Sequence, residues 1–87
     1  MIAYILYNKH TQSERVSAVL CERLEHEQIG SEMVDADSPR GVQLAENYDI
    51  LGRPAIILVK TDGAPIKIWQ GEDSWPAVSE VAYLARQ

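Results

Sequence analysis

The side chains in this sequence that could do chemistry are few and widely spaced. Cys21 is the one cysteine among the 87 residues, so it has no second thiol with which to form an intrachain disulfide. We interpret it as a small, half-buried hydrophobic residue inside a helix rather than as a reactive thiol. The two histidines, His10 and His26, have no carboxylate at the spacing that marks a metal site. The sequence therefore predicts neither a bound metal nor another cofactor.

Composition indicates a folded protein whose main partner is neither nucleic acid nor membrane. Hydrophobic residues make up 46% and charged residues 24%, as in ordinary globular proteins. The net charge of -5 argues against a nucleic-acid surface. The opening apolar run Ile2–Tyr7 has no basic segment before it and is short, so we interpret it as a buried strand rather than a signal peptide or membrane span. The single cysteine favours a reducing compartment, which we take to be the cytoplasm.

Hydrophobic spacing predicts a strand and then a helix at the start of the chain. Ile2–Tyr7 is the strand, because it is short, continuous and rich in β-branched and aromatic residues. An amphipathic helix follows, with apolar residues at three- and four-residue spacing: Val16, Val19, Leu20 and Leu24. Thr11 or Ser13 is expected to cap the beginning of this helix, and Gly30 to end it.

A second strand and a second helix follow. Glu32–Ala36 is the predicted strand, and Ser38 with Pro39 marks the start of a helix that ends before Gly52. The most apolar run, Ala55–Val59, predicts a strand in the middle of the core.

The last part of the chain predicts a hairpin and a final helix. Asp62 and Gly63 form a turn that leads into a strand over Ile66–Trp69. The last helix covers Val78–Ala85, with Asp73 or Ser74 as its cap. The predicted fold is a single α/β domain over residues 1–87 with the order β-α-β-α-β-β-α. We expect a four-stranded mixed sheet with helices on both faces.

The second half of the chain resembles a thioredoxin-fold protein. The resemblance lies in residues 48–60, Tyr-Asp-Ile-Leu-Gly-Arg-Pro-Ala-Ile-Ile-Leu-Val-Lys, and continues with the Asp-Gly turn and Gly71. The short first half is similar to the small glutaredoxins and glutaredoxin-like electron donors. In that superfamily, the proline before the apolar strand has a cis peptide bond and lies beside the active-site cysteines. The resemblance implies that Pro54 occupies this position, in agreement with the near restriction of cis bonds to proline.

The cysteine motif of the superfamily is missing. Members carry Cys-x-x-Cys at the start of the first helix, where the helix N-terminus lowers the pKa of the first thiol. The matching residues, 10–16, contain no cysteine. The resemblance aligns the two cysteines with Gln12 and Arg15, and neither these residues nor Ser13 can exchange a disulfide. Gln12, Ser13 and Arg15 are therefore the predicted relic of the motif.

The resemblance also brings two arginines together. The motif loop and the residue before the cis-proline are neighbours in this fold, so Arg15 and Arg53 are expected to approach each other beside a helix N-terminus. Guanidinium groups with exposed backbone N–H groups suit a carboxylate or a phosphate. The alternative is that each arginine is solvated or paired with a nearby carboxylate. Trp69 and Trp75 are expected to fill the core of a chain that has no Phe; the alternative is that one or both are exposed at a protein interface.

We expect the domain to act by binding another protein rather than by thiol chemistry. In the superfamily, the backbone before the cis-proline pairs with an extended segment of a partner, and Arg53 and Pro54 would present that groove here. The predicted function is a redox-inactive, protein-binding domain with no catalytic residue. Two alternatives stay open: a thiol–disulfide oxidoreductase that uses Cys21 alone, and a binder of small anions at Arg15 and Arg53.

Overall fold

The computed structural model describes residues 1–87 and contains four strands and three helices. The strands are β1 (Ile2–Tyr7), β2 (Gly30–Asp35), β3 (Ala55–Val59) and β4 (Pro65–Gln70), and the helices are α1 (Gln12–His26), α2 (Pro39–Asn47) and α3 (Val78–Ala85). No helix combines the length and the hydropathy that crossing a membrane requires.

The four strands form one mixed sheet in the order β2-β1-β3-β4. β1 runs parallel to β2 and antiparallel to β3, and β3 runs antiparallel to β4. All five residues of β3 are buried, which explains its unbroken apolar sequence. β2 begins at Gly30 and ends at Asp35, rather than covering the predicted Glu32–Ala36, because it pairs with β1 along the whole length of β1.

Helices cover both faces of the sheet, as predicted. α1 and α3 pack on one face, where the core includes Ile5, Leu20, Leu24, Ile56, Leu58 and Val81. α2 lies on the other face, where the core includes Leu6, Val34, Ile50, Ala55, Ile57 and Val59. Alternate residues of β1 and β3 therefore point to different layers.

The predicted caps of the first two helices are confirmed, but the cap of α3 is not. The hydroxyl of Thr11 accepts a hydrogen bond from the N–H of Ser13, and the hydroxyl of Ser38 accepts one from the N–H of Gly41. α3 begins after Ala77 without a side-chain cap. The predicted capping residues, Asp73 and Ser74, instead lie in a separate 3₁₀ turn over Glu72–Ser74.

The late start of α3 has a local cause. Trp75 has extended backbone angles (φ -62, ψ 123) and is followed by Pro76. A residue before proline is disfavoured in the helical region, so the chain cannot continue from the 3₁₀ turn into a helix.

The prediction that Gly30 ends α1 is wrong. The helix stops at His26, and Gln28 adopts the left-handed conformation with φ 62. The N–H of the buried Ile29 then donates to the carbonyl of Leu24 at 2.9 Å. This is a Schellman closure. The apolar contact between Ile29 and Leu24 accompanies it, and Gly30 becomes part of β2.

The same closure ends α2, so Gly52 is not its end signal either. The helix stops at Asn47, and Asp49 takes the positive φ of 56. The N–H of the buried Ile50 donates to the carbonyl of Ala45 at 2.8 Å. In both helices an isoleucine that reaches the core follows the left-handed residue, and glycine is not needed.

Candidate functional site

The peptide bond between Arg53 and Pro54 is cis, as predicted, and lies at the entry to β3. The loop before it is held by one side chain. The amide oxygen of Gln70 accepts hydrogen bonds from the N–H groups of Leu51 and Gly52, each at 2.8 Å. The carbonyl of Pro54 accepts from Gly71 at 2.8 Å. The backbone on both sides of Arg53 is therefore fixed.

Arg53 itself keeps its backbone groups free. Neither its N–H nor its carbonyl takes part in a hydrogen bond within the chain, and the residue is exposed. Backbone groups of this kind normally find a partner in protein or water. They form a short stretch of unpaired strand edge beside Pro54.

The first turn of α1 lies next to Pro54 and closes a hollow of about 240 Å³ with it. Gln12, Ser13 and Val16 contribute the α1 side. Ser13 and Val16 share this side because residues three apart lie on one face of a helix. Opposite them are Glu72 and Trp75. We call this space the Pro54 hollow.

The buried hydroxyl of Ser13 is used to hold the loop before α1. It accepts a hydrogen bond from the N–H of Asn8 at 3.1 Å and lies 2.6 Å from the hydroxyl of Thr11. Thr11 in turn donates to the carbonyl of Asn8 at 2.6 Å. No histidine or carboxylate contacts Ser13 as a base, so its hydroxyl shapes the hollow and is not set up as a nucleophile.

The two residues that align with the motif cysteines, Gln12 and Arg15, share one open hollow at the start of α1 but differ in their other surroundings. Gln12 is exposed on the rim of the Pro54 hollow, whereas Arg15 lines a neighbouring groove between α1 and the chain before α3. Of the relic residues, Gln12 and Ser13 are therefore the ones that lie beside Pro54.

This neighbouring groove, the α1–α3 groove, has a volume of about 580 Å³. α1 contributes Arg15, Val16, Val19, Leu20 and Arg23, and residues 75–79 form the opposite wall. It adjoins the Pro54 hollow, because Val16 and Trp75 line both.

Cys21 lies outside both cavities. Its sulfur is 3.1 Å from the hydroxyl of Ser31 in β2, and the residue packs against the core on the α1 face. It follows Gln12 by nine positions in α1, or about 13 Å along the helix axis. No thiol therefore reaches the Pro54 hollow.

Known structures resemble the fold of this chain in three dimensions. A malarial protein aligns with a TM-score of 0.71 over 98% of this chain and 92% of its own, at 19% identity. Thioredoxin 1 from Thermosipho africanus TCF52B aligns with a TM-score of 0.71 over 99% and 91%, at 14% identity. A thioredoxin from Thermus thermophilus gives 0.63 over 98% and 71%, at 21% identity. The chain has a thioredoxin-like fold. No family model matches the sequence, and no curated protein does.

Within this thioredoxin-like fold, the expected arginine pair is not formed. The guanidinium of Arg53 is directed to Asp37, at 3.9 Å, and its side chain lines a hollow on the α2 side. Arg15 lies in the α1–α3 groove, and no cavity is lined by both arginines. The reason is that α1 and α2 cover opposite faces of the sheet. The anion site predicted at Arg15 and Arg53 therefore loses its geometric basis.

The sequence analysis did not single out Arg23, which lines the α1–α3 groove together with Arg15. Arg23 follows it by eight positions, close to two helical turns, so the two guanidinium groups lie along one side of α1. The spacing was readable from the sequence, but the groove that both residues face is formed by a distant part of the chain.

The two tryptophans of the thioredoxin-like fold differ in role. Trp69 is buried, and its indole N–H donates to Glu80 at 3.3 Å, so its predicted core position is confirmed. Trp75 is half-buried between the Pro54 hollow and the α1–α3 groove, and its indole N–H makes no hydrogen bond within the chain. Trp75 also packs against the core on the α1 face, and its placement at a protein interface stays a prediction.

Proposed function

We propose that this chain is a binding domain that holds an extended segment of another protein across Pro54 and does not catalyse thiol–disulfide exchange. One observation carries the proposal: the backbone N–H and carbonyl of the exposed residue Arg53 are unpaired, directly before Pro54, which lines a hollow. An extended segment that runs antiparallel to residue 53 can exchange two hydrogen bonds with these groups.

The Pro54 hollow supplies a place for one side chain of that segment. Side chains alternate along an extended chain, so a residue next to the one paired with Arg53 points towards the protein surface. Val16 and Trp75 offer it apolar contact, and the indole N–H of Trp75 is available as a donor. Backbone pairing would give affinity and the hollow would select the side chain.

The binding loop is already in place before a partner arrives. The two hydrogen bonds to Gln70 fix residues 51 and 52, so binding does not need to order this loop. Leu51 is 94% exposed and stands beside Arg53. A large apolar side chain held at the surface in this way is suited to contact with a partner.

The chemistry available at the site supports binding without redox exchange. Gln12 and Ser13, which lie beside Pro54, carry no thiol, and Cys21, farther along α1, is hydrogen-bonded to Ser31 of β2. The single cysteine also supports our proposal that the protein works in a reducing compartment such as the cytoplasm.

A display library of random peptides, selected on the purified chain, tests the binding site. We expect the selected peptides to bind the wild type and to lose most of their affinity for Gln12→Trp, which places a large side chain on the rim of the hollow. Gln43→Trp is the matched control, because Gln43 is also an exposed helical residue but lies on α2. Equal binding to both variants would contradict the site.

Backbone recognition is tested on the peptide rather than on the protein. A selected peptide is N-methylated at one position after another, which removes one N–H at a time. Pairing with Arg53 predicts that methylation at one position abolishes binding while methylation at its two neighbours does not. A uniform response along the peptide would contradict strand pairing.

The redox part is tested by reduction of a model disulfide. We expect the wild type and Cys21→Ser to give the same rate as buffer with reductant alone. A rate in the wild type that disappears in Cys21→Ser would replace this proposal with a one-cysteine oxidoreductase.

A further inference from the structure

We infer that the segment bound at Pro54 continues into the α1–α3 groove, and that it carries an acidic residue, then an apolar one, then a second acidic one, at alternate positions. This inference rests on the proposed function and names the chemistry of its partner. The two cavities adjoin at Val16 and Trp75, which line both, and this common wall gives the path.

The charges of the chain single out this groove. Five of the eight basic side chains form ion pairs: Lys9 with Asp35, Arg40 with Glu32, Arg53 with Asp37, Lys67 with Glu80, and Arg86 with Glu27.

The three basic residues outside these ion pairs are Arg15, Arg23 and Lys60. Two of the three, Arg15 and Arg23, line the same groove and are its only charged residues. In a chain of net charge -5, a groove with two free guanidinium groups is a local reversal of sign. Such a reversal favours a partner of negative charge.

The floor between the arginines is apolar. Val19 lies midway between Arg15 and Arg23 on α1 and is 45% exposed. The opposite wall includes Trp75 and Val78. A purely anionic ligand would leave this surface in contact with water, so the better occupant combines carboxylates with an apolar side chain.

Helix and strand geometry set the spacing of the motif. Eight residues of α1 separate the two arginines, a rise of about 12 Å. An extended segment covers this distance in about four residues. Its alternate side chains face the groove, so carboxylates at positions i and i+4 reach the two guanidinium groups while the residue at i+2 lies over Val19.

The test repeats the peptide selection on charge variants. The wild type is compared with the double variant Arg15→Glu, Arg23→Glu. Lys60→Glu is the control, because it reverses the charge of the third unpaired basic residue, which follows β3 at the end away from Pro54. The double variant Arg15→Gln, Arg23→Gln repeats the comparison without added negative charge. The three substituted residues, Arg15, Arg23 and Lys60, are all exposed, and circular dichroism checks that each variant is folded.

We expect peptides selected on the wild type to be enriched in Asp or Glu at i and i+4 around an apolar i+2. Their affinity should fall at least about tenfold with Arg15→Glu, Arg23→Glu and less with the Gln pair, while Lys60→Glu changes it little. Selection on the Glu double variant should instead enrich Lys and Arg at the same positions. Raised salt should weaken binding to the wild type.

Other outcomes would overturn the inference, and they show separately whether the proposed function also fails. If the selected peptides lose affinity for Gln12→Trp but carry no acidic pattern, the binding site at Pro54 is supported and the acidic segment is contradicted. If their affinity is unchanged by Gln12→Trp, both the binding site at Pro54 and the acidic segment are contradicted. If the wild type forms a dimer and the Glu double variant does not, the groove binds a second copy of the chain. If the wild type binds an oligonucleotide and the Glu double variant does not, the groove binds a nucleic acid.

Discussion

Two serines on the buried side of α1 have opposite environments. Ser13 and Ser17 are one helical turn apart and both are buried. The hydroxyl of Ser13 accepts from Asn8 and contacts Thr11. The hydroxyl of Ser17 is fully buried and has no hydrogen-bond partner. A buried polar group without a partner costs free energy, whereas a satisfied one does not.

We expect Ser17→Ala to raise the free energy of unfolding by about 1 kcal/mol, because it removes an unsatisfied hydroxyl and introduces a better helix former. Ser13→Ala is the matched control and should lower it by about 1 kcal/mol, since the N–H of Asn8 loses its acceptor. Urea denaturation of the three proteins measures both changes. Shifts of the same sign would contradict this account of the two hydroxyls.

At the scale of elements, α2 depends on one glycine to reach the end of β2. A Cβ atom on Gly41 would lie 2.1 Å from the carbonyl oxygen of Asp35 and 2.9 Å from the Cα of Ala36. Both contacts are with backbone, which cannot rotate away. The close approach of helix and strand therefore excludes a side chain here.

Gly41→Ala should lower the free energy of unfolding by about 1–3 kcal/mol through overpacking, although alanine is the better helix former. Gln43→Ala, on the exposed side of the same helix, should change stability by no more than about 0.5 kcal/mol. Thermal denaturation followed by circular dichroism compares them. If both variants are as stable as the wild type, α2 does not pack as closely as described.

The side chain of Glu80 connects α3 to β4 through hydrogen bonds. Its carboxylate accepts hydrogen bonds from the ammonium of Lys67 at 3.0 Å and from the indole of Trp69 at 3.3 Å. The hydrogen bond from Lys67 is the main cause that holds the pKa of Glu80 below its ordinary value of 4.5, while desolvation acts in the opposite direction. The ion pair is about half exposed, so solvent screens it.

The lowered pKa gives this link a defined pH dependence. The ionised carboxylate contributes its full stabilisation above pH 4.5, and this is lost as the pH falls through the lowered pKa. Glu80→Gln should therefore be less stable than the wild type at neutral pH, with a difference that narrows in acid. Urea denaturation at several pH values measures this difference, with Glu22→Gln, which removes an exposed carboxylate outside the ion pairs, as the matched control. A constant difference for Glu80→Gln would contradict the pKa shift.

Over the whole molecule, the residues that stabilise the fold are largely separate from those proposed to bind. The core lies between the sheet and its two helical layers, whereas Gln12 beside the Pro54 hollow and Leu51 and Arg53 in the loop before Pro54 are exposed. Binding and stability should therefore respond to different substitutions.

Leu51→Asp tests this separation. Because Leu51 is 94% exposed, the variant should change the free energy of unfolding by no more than about 0.5 kcal/mol. We expect it to weaken binding of selected peptides several-fold, as read by fluorescence anisotropy. Tyr83→Asp, which alters another exposed apolar residue on α3, should leave binding unchanged. A large loss of stability in Leu51→Asp would show that the loop is part of the core.

The order of strands and helices, the caps at Thr11 and Ser38, and the cis bond at Pro54 could be predicted from the sequence. The order and the caps depend on short stretches of chain, through the hydrophobic period and a hydroxyl before a helix, whereas the cis bond was implied by the resemblance to thioredoxin-fold proteins. The burial of β3 follows equally from its own five apolar residues.

Only the tertiary structure decided where the charged residues of the site lie. Arg15 and Arg53 were expected together, but α1 and α2 cover opposite faces of the sheet, so Arg53 meets Asp37 and Arg15 shares a groove with Arg23. Trp75 joins that groove from a segment remote in sequence. Positions of this kind depend on which layer each element occupies, and no local pattern in the sequence encodes that.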